Sequence, residues 1–347
     1  MAGLFPPPKA FTDWLKVITE AKAGWDLRDY RNSWLVGARM LLESGTTTVV
    51  DIEAVPEMLP RCWNLTPLRV FSLLEIIGIG RQRQPLAVLR EALQKAESLD
   101  HACCRVGLSP HAPYTTVPSL LKCAATESHR RRMPLCIHVA ESFPEYQMFH
   151  SAVGEMYDWI RRSGRNMEDC GATTPVQHLA RCGALRTNLL ATHANYLGRG
   201  DATLLARNGV SVVHCPRSHQ YFRHDPFPLG RLRRTGVNIC LGTDSLASVL
   251  KSGSQDVCLS LFEEMRTLSA SQPWVSSRVL VEMATINGAR ALGLQSRLGS
   301  IVPGTSADLI ALPLRSTPRN VYDHIVAHTG RVSASMINGQ WALTPTV

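Results

Sequence analysis

Three apolar runs in this sequence lead into a residue that can hold a metal ion. Leu135, Cys136 and Ile137 run into His138, Leu189 to Thr192 run into His193, and Ile239 to Leu241 lead through Gly242 and Thr243 to Asp244. Imidazole nitrogen and carboxylate oxygen are the donors that zinc and similar first-row ions accept. Glu141 follows His138 by three residues. A carboxylate there can reach the same space, take a proton from an activated water and return it to a leaving nitrogen; the ordinary alternative is a helix N-terminal residue. His111, flanked by prolines in SPHAPY, can bind or polarise a substrate, or can simply bond to backbone. In HCPRSH (214–219), His214 is expected to be buried in its strand, with Ser218 and His219 on a loop that meets a ligand. His324 and His328 stand four apart like a helical zinc pair, but Ile325 replaces the Glu such a pair needs, so they read as structural.

These residues need a scaffold that brings strand tips together. The spacing predicts short buried strands over 46–51, 69–75, 104–109, 134–140, 189–194, 210–216 and 236–244, ending in or near Asp51, Glu75, His111, His138, His193, His214 and Asp244. Helical periodicity fills the intervals: 10–23, 27–43, 85–98, 117–132, 145–162, 201–208, 229–234, 254–268 and 275–292. Strands alternating strictly with helices read as a parallel α/β architecture. A (β/α)8 barrel of the TIM type gathers polar residues at the strand C-termini. The rival doubly wound sheet would carry a G-x-G-x-x-G after its first strand, and none is present. Only seven strands are legible before residue 245, so the first strand of an eight-stranded barrel is missing from this reading. After Leu298 the texture changes to short β-like runs with Pro303-Gly304 and Asn338-Gly339 turns. The expected division is a barrel over 1–297 and a C-terminal β segment over 298–347.

The 347 residues include 45% apolar and 19% charged side chains, the balance of a globular domain that needs no disulfide staples. The formal net charge of +9 raises nucleic-acid binding. The densest basic clusters, Arg130 to Arg132 and Arg231, Arg233 and Arg234, fall at expected helix C-termini, where cations complement the helix dipole. Nucleic acid is therefore not the expected partner. The ten cysteines form no C-x-x-C pair and several sit inside apolar runs, as in a cytoplasmic protein with reduced thiols. No apolar run reaches the length of a membrane span, and the N-terminus lacks signal-peptide features.

SPHAPY, HVAES, THANYL, HCPRSH, GTDSLAS and LGSIVPGTSADLIAL, in this order, resemble the amidohydrolase superfamily, in the branch of chlorohydrolases and adenosylhomocysteine-type deaminases. The resemblance implies a metal-dependent hydrolase of non-peptide C–N bonds that deaminates an aminated heterocycle or purine nucleoside, a small-molecule substrate. It implies one divalent ion, zinc first and iron second, held by His138, His193 and Asp244. It also implies Glu141 as proton shuttle, His193 orienting the attacking water, Asp244 as base, and His111 and Glu75 facing substrate.

The family carries an H-x-H pair at the end of its first barrel strand, and no H-x-H occurs in this sequence. The N-terminal strands of its composite sandwich are missing as well. The expectation is a chain that lacks its true N-terminus, with a remnant of weakened chemistry as the alternative and a basic nucleic-acid-binding module as a third reading. Edges left by a missing strand favour self-association, so a homo-oligomer is also open.

Overall fold

A computed structural model describes residues 5, 10–79, 84–251, 257–314 and 319–345. Seven parallel strands form one curled sheet in sequence order: β1 (Thr48–Glu53), β2 (Arg69–Ile76), β3 (Arg105–Pro110), β4 (Leu135–Val139), β5 (Leu189–His193), β6 (Ser211–His214) and β7 (Asn238–Leu241). Helices cover its outer face, as in a (β/α)8 barrel. Among the described residues, β1 and β7 are the outer strands of the sheet.

Strand alternation decides which side chains reach the interior. Leu135, Ile137 and Val139 of β4 join Leu189 and Ala191 of β5 and Ile239 of β7 in the core beneath the helices. The intervening Cys136, Leu190 and Cys240 meet Leu73, Val50 and Ile52 on the opposite, concave face. The two-residue side-chain period then places His138 on the same face as Cys136. On that face Cys136 Sγ lies 3.1 Å from Thr192 Oγ1 of the neighbouring strand.

The same alternation corrects the sequence reading of β1, whose strand runs two residues past Asp51. Val50 and Ile52 take the concave face, and Asp51 accepts a 2.8 Å hydrogen bond from Trp34 Nε1 on the helix Leu27–Glu43. That helix is fixed at its start by a capping box, in which Asp26 accepts from the amides of Arg28 and Asp29 and Asp29 accepts from the Asp26 amide. Burial lifts Asp51 to about 6, although the indole N–H pulls the other way. Glu53 is pushed to about 8 by burial and by the neighbouring Asp51 carboxylate.

Several boundaries differ from the periodicity. The helix expected over 145–162 is two, Phe143–Ser151 and Glu155–Arg162, because Ala152 (φ 52°) and Gly154 (φ 99°) turn the chain left-handed. The helix expected over 275–292 breaks at Thr285 into Ser277–Ala284 and Ile286–Ala291. The helix expected from Ser254 begins outside the described residues in that reading; the observed helix is Leu261–Ser271. The irregular stretch before β5 contains a helix, Pro175–Arg181, opened by a Thr174/Gln177 capping box with proline at N1.

The C-terminal segment forms a three-stranded antiparallel sheet of β8 (Leu309–Ala311), β9 (Ala334–Ile337) and β10 (Gln340–Leu343). Asn338 (φ 52°) and Gly339 (φ 77°) supply the left-handed pair that a two-residue hairpin requires. An ion pair between Arg69 and Asp308 ties this sheet to β2, and Ile337 packs beneath the helix Leu27–Glu43. Both basic clusters lie at helix ends. Arg131 pairs with Glu97 and Glu127, Arg231 donates to the carbonyls of Leu197 and Gly198, and Arg233 lies over the Trp274 ring. All ten cysteines are free, and no helix among the described residues is long and apolar enough to cross a membrane.

Glu53 sets a pH dependence. Its folded pKa of about 8 lies above its ordinary 4.5, so the native state keeps a proton that the unfolded chain releases. The stability it contributes is full below pH 4.5 and is lost as pH rises through 8. Glu53→Gln is therefore expected to melt with wild type at pH 4.5 and above it at pH 8.5, by a few kcal/mol at about 1.4 kcal/mol per pKa unit. Thermal denaturation at the two pH values measures the divergence; parallel curves would contradict it.

Candidate active site

The strand tips of β4 and β5 and the loop after β7 converge at one end of the sheet. His193 Nε2 lies 3.3 Å from Glu141 Oε1. One ligating atom each from Glu141, His193 and Asp244 lies within 4.8 Å of the other two. The His138 ring stacks beside His193 at a centroid separation of 5.5 Å and a 22° angle.

Backbone conformation makes this convergence. Ala140 (φ 51°), His193 (φ 75°), Ala194 (φ 50°) and Asp244 (φ 50°) are left-handed without being glycine, a costly conformation concentrated at the three tips. The turn at Ala140 reverses the chain after β4 and swings Glu141 back over the tip. Glu145, fully buried, holds this turn: its carboxylate accepts from the amides of Ala140 (3.0 Å) and Glu141 (2.8 Å). Ser142 caps the helix that carries Glu145. The loop after β5 joins the same turn, because Asn195 Nδ2 donates to the Glu141 carbonyl and the Asn195 and Tyr196 amides donate to the Ala140 carbonyl.

His138 sits slightly apart. Its Nδ1 lies 2.9 Å from the His111 carbonyl, which can only accept, so Nδ1 carries the proton and Nε2 keeps its lone pair. The same carbonyl accepts the His138 amide at 2.9 Å. This double anchor pulls His138 toward β3, and the tight group contains Glu141 where His138 was expected.

Asp244 is held by two hydroxyls, from Ser248 (2.9 Å) and Ser218. Burial alone would raise its pKa, but His193 and the Ser218 hydroxyl outweigh it and keep the carboxyl below its ordinary value. Glu141 goes the other way: burial, with Asp244 and Glu145 nearby, drives it well above the carboxylate range. His193 is pushed down to about 3 by burial, against the pull of Asp244. One carboxylate is thus disposed to be ionised and its neighbour to be protonated, a division of acid and base within one site.

The remaining expected residues divide. His111 lies 5.1 Å from His138 between ring centroids, with Nδ1 2.7 Å from Thr115 Oγ1, and burial pushes it to about 3. Glu75, near the tip of β2, is raised by burial and is close enough to His138 for that ring to oppose the shift. Ser218 and His219 depart from the sequence reading, since both lie on a short helix, Pro216–Tyr221, and not on a loop. Ser218 is buried and spends its hydroxyl on Asp244, while His219 Nε2 bonds the Asp225 carbonyl at 2.9 Å. That helix is anchored by a buried pair: Arg217 donates from Nε (2.5 Å) and from its amide (2.9 Å) to Glu264. His214 is buried as expected, stacked on Phe227 at 3.7 Å. His324 and His328 lie away from the site; His328 ends the helix Val321–Ala327 with its ring edge-on to Phe262.

Sequence reasoning missed Glu145 and Ser248. Ser142 and Glu145 form an S-x-x-E helix-start signature that could have flagged the first. Ser248 lies inside the GTDSLAS motif but carries no separate signal.

The donor set suits a divalent first-row ion. A lone pair on His138 Nε2, a neutral His193 and an ionised Asp244 offer two nitrogens and an oxygen, with Glu141 beside them.

A sequence model described as amidohydrolase family matches residues 5–342. The chain is 34% identical over 328 residues to a 5-methylthioadenosine/S-adenosylhomocysteine deaminase of Syntrophobacter fumaroxidans, covering 90% of this chain and 69% of the relative. It is 30% identical over 305 residues to a 5'-deoxyadenosine deaminase of Methanothermobacter thermautotrophicus, covering 85% of this chain and 65% of the relative. The chain therefore spans about two thirds of the length of these curated relatives. Among solved structures, a zinc-bound adenosine deaminase from Xanthomonas campestris superimposes with a TM-score of 0.82 at 24% identity, over 99% of this chain and 76% of that one. Aminofutalosine deaminase of Helicobacter pylori gives 0.81 at 18% identity, over 97% of this chain and 82% of that one.

Glu145→Ala leaves the amides of Ala140 and Glu141 buried without acceptors. It is expected to cost about 2–6 kcal/mol, since each unsatisfied buried group costs about 1–3 kcal/mol. Urea denaturation of the variant measures this; a loss within about 0.5 kcal/mol, typical of neutral surface changes, would show that the tie is dispensable.

Proposed function

The chain belongs to the amidohydrolase family, and we propose from this that its site catalyses hydrolytic deamination of an aminated heterocycle or purine nucleoside. The observation that carries the reading is the convergence of Glu141, His193 and Asp244 within 4.8 Å, with His138 stacked alongside.

His138, through Nε2, together with His193 and Asp244 would hold a divalent ion, zinc first and iron second. When bound, such an ion supplies Lewis-acid activation of water. The protein's own groups handle the protons. Asp244, held below its ordinary value by His193 and the Ser218 hydroxyl, accepts the proton of the attacking water. His193, neutral, orients that water by hydrogen bonding. Glu141, kept protonated by burial, donates to the ring nitrogen as a C–O bond forms at the adjacent carbon. The proton held by Asp244 then passes to the exocyclic amine, the C–N bond breaks and ammonia leaves, while the new hydroxyl becomes a carbonyl by returning its proton to Glu141. His111 and Glu75 stand at neighbouring strand tips as contacts for the heterocycle and its substituent.

Glu141→Gln is expected to keep its metal and to lose about 10²- to 10⁴-fold in rate, the usual worth of a general acid–base. Asp244→Asn is expected to lose metal as well as rate. Elemental analysis of the purified proteins and ammonia release from a panel of aminopurines and adenine nucleosides measure both. A Glu141→Gln variant that loses its metal would make Glu141 a ligand. Wild-type protein that neither retains a divalent ion nor releases ammonia from any panel member would overturn the reading.

A further inference from the structure

Outside the ion-binding corner, the mouth carries a line of rings. Phe143 follows β4, Tyr196 follows β5, and Phe222 and His224 follow β6. Tyr196 lies 5.8 Å from Phe143 and stands perpendicular to His224 at 5.5 Å. His224 stacks on Phe222 at 5.5 Å, and Phe222 meets Trp14 edge-on at 5.2 Å. Trp14 Nε1 donates to the Ala247 carbonyl at 3.2 Å, so the line closes on the loop that follows β7. The same loops present His193 and Asp244.

Hydrogen-bond accounting within this line leaves one donor over. The Tyr196 hydroxyl accepts the Asp225 amide at 3.3 Å and lies 3.3 Å from His224 Nδ1. A hydroxyl has one proton to give, and giving it to Nδ1 satisfies both groups. Nδ1 is then an acceptor. Burial keeps the imidazole neutral, its pKa pushed down to about 3, so the ring proton sits on Nε2. That Nε2 is buried and has no hydrogen-bond partner among the described residues. A buried N–H without an acceptor is uncommon and costly. His224 is also near enough to His193 that a proton added to one ring would oppose protonation of the other. His219 has no such spare donor, because its Nε2 already meets the Asp225 carbonyl.

We propose that His224 is a ligand-contacting, specificity-determining residue whose Nε2–H donates to an acceptor on a planar heteroaromatic ligand lying along the ring wall, with Tyr196 as the positioning residue that fixes the tautomer. This rests on the reading of the site as one for an aminated heterocycle or nucleoside. The acceptor is a ring nitrogen or a sugar oxygen; both present a lone pair to the same donor.

Titration calorimetry of the full chain with adenosine and with adenine tests the inference. His224→Phe keeps the ring wall and removes the donor, and is expected to weaken binding roughly tenfold, the scale of one neutral hydrogen bond. His224→Gln retains a donor and is expected to recover part of the loss. Tyr196→Phe frees the tautomer, which is expected to appear as a changed imidazole ¹⁵N shift together with a smaller loss of affinity. A loss common to both ligands places the acceptor on the ring; a loss seen only with adenosine places it on the sugar. Equal affinity of wild type and His224→Phe for both ligands would overturn the role of His224 and leave the proposed deamination standing. Wild type that binds neither ligand overturns both this contact and the purine branch of the proposed function. Ammonia release from other aminated heterocycles would then show that the wider reading survives.

Discussion

The buried carboxylate of Glu145 accepts the amides of Ala140 and Glu141, and the reactive end of the molecule is assembled around that tie. A left-handed alanine at a strand tip is unfavourable by itself, and here the two hydrogen bonds to the Glu145 carboxyl compensate it. The consequence is positional. Glu141 is carried back over the tip of β4, where it meets His193. Asn195 then locks the loop after β5 onto the same turn, so two neighbouring tips behave as one unit.

The other half of the site is built separately and on the same principle. Asp244 is also left-handed, and its oxygens are engaged by Ser218 and Ser248. Ser218 is held in place by the short helix Pro216–Tyr221, and that helix by the buried pair of Arg217 with Glu264. A buried ion pair of this kind is weak support for stability, since desolvation offsets most of its attraction. Its value here is geometric, because Arg217 precedes Ser218 directly. The two carboxylates of the site therefore keep opposite protonation tendencies: one is bonded to donors, and the other lies buried beside negative charge.

Much of the fold was legible in the sequence because it follows from local pattern. The helices over 85–98 and 229–234 were read at their observed bounds, where periodicity and turn residues agree. The break between Ser151 and Glu155 was missed although Gly154 marks it, because Ala152, where the left-handed turn begins, carries no breaker signal of its own. The helix Pro216–Tyr221 was hidden in the same way: six residues carry too little periodicity to separate a helical turn from a loop. Asp51 was read as the end of the first strand, but β1 runs on to Glu53 and Asp51 turns toward Trp34.

The residue types and their order were enough to mark His138, His193, Asp244 and Glu141, because ligand chemistry at strand ends is a local signal. Their grouping was not. Donor distance depends on backbone turns that any sequence of small residues can adopt, and on which neighbour each ring is bonded to. The His111 carbonyl draws His138 aside, while the turn at Ala140 brings Glu141 in. The protonation tendencies are likewise tertiary, since burial and the nearest charge come from segments far apart in the chain. The sequence by itself determined the class of fold and the chemical vocabulary of the site. Only the tertiary structure decided which carboxylate stands beside which imidazole, because that depends on long-range hydrogen bonds rather than on spacing.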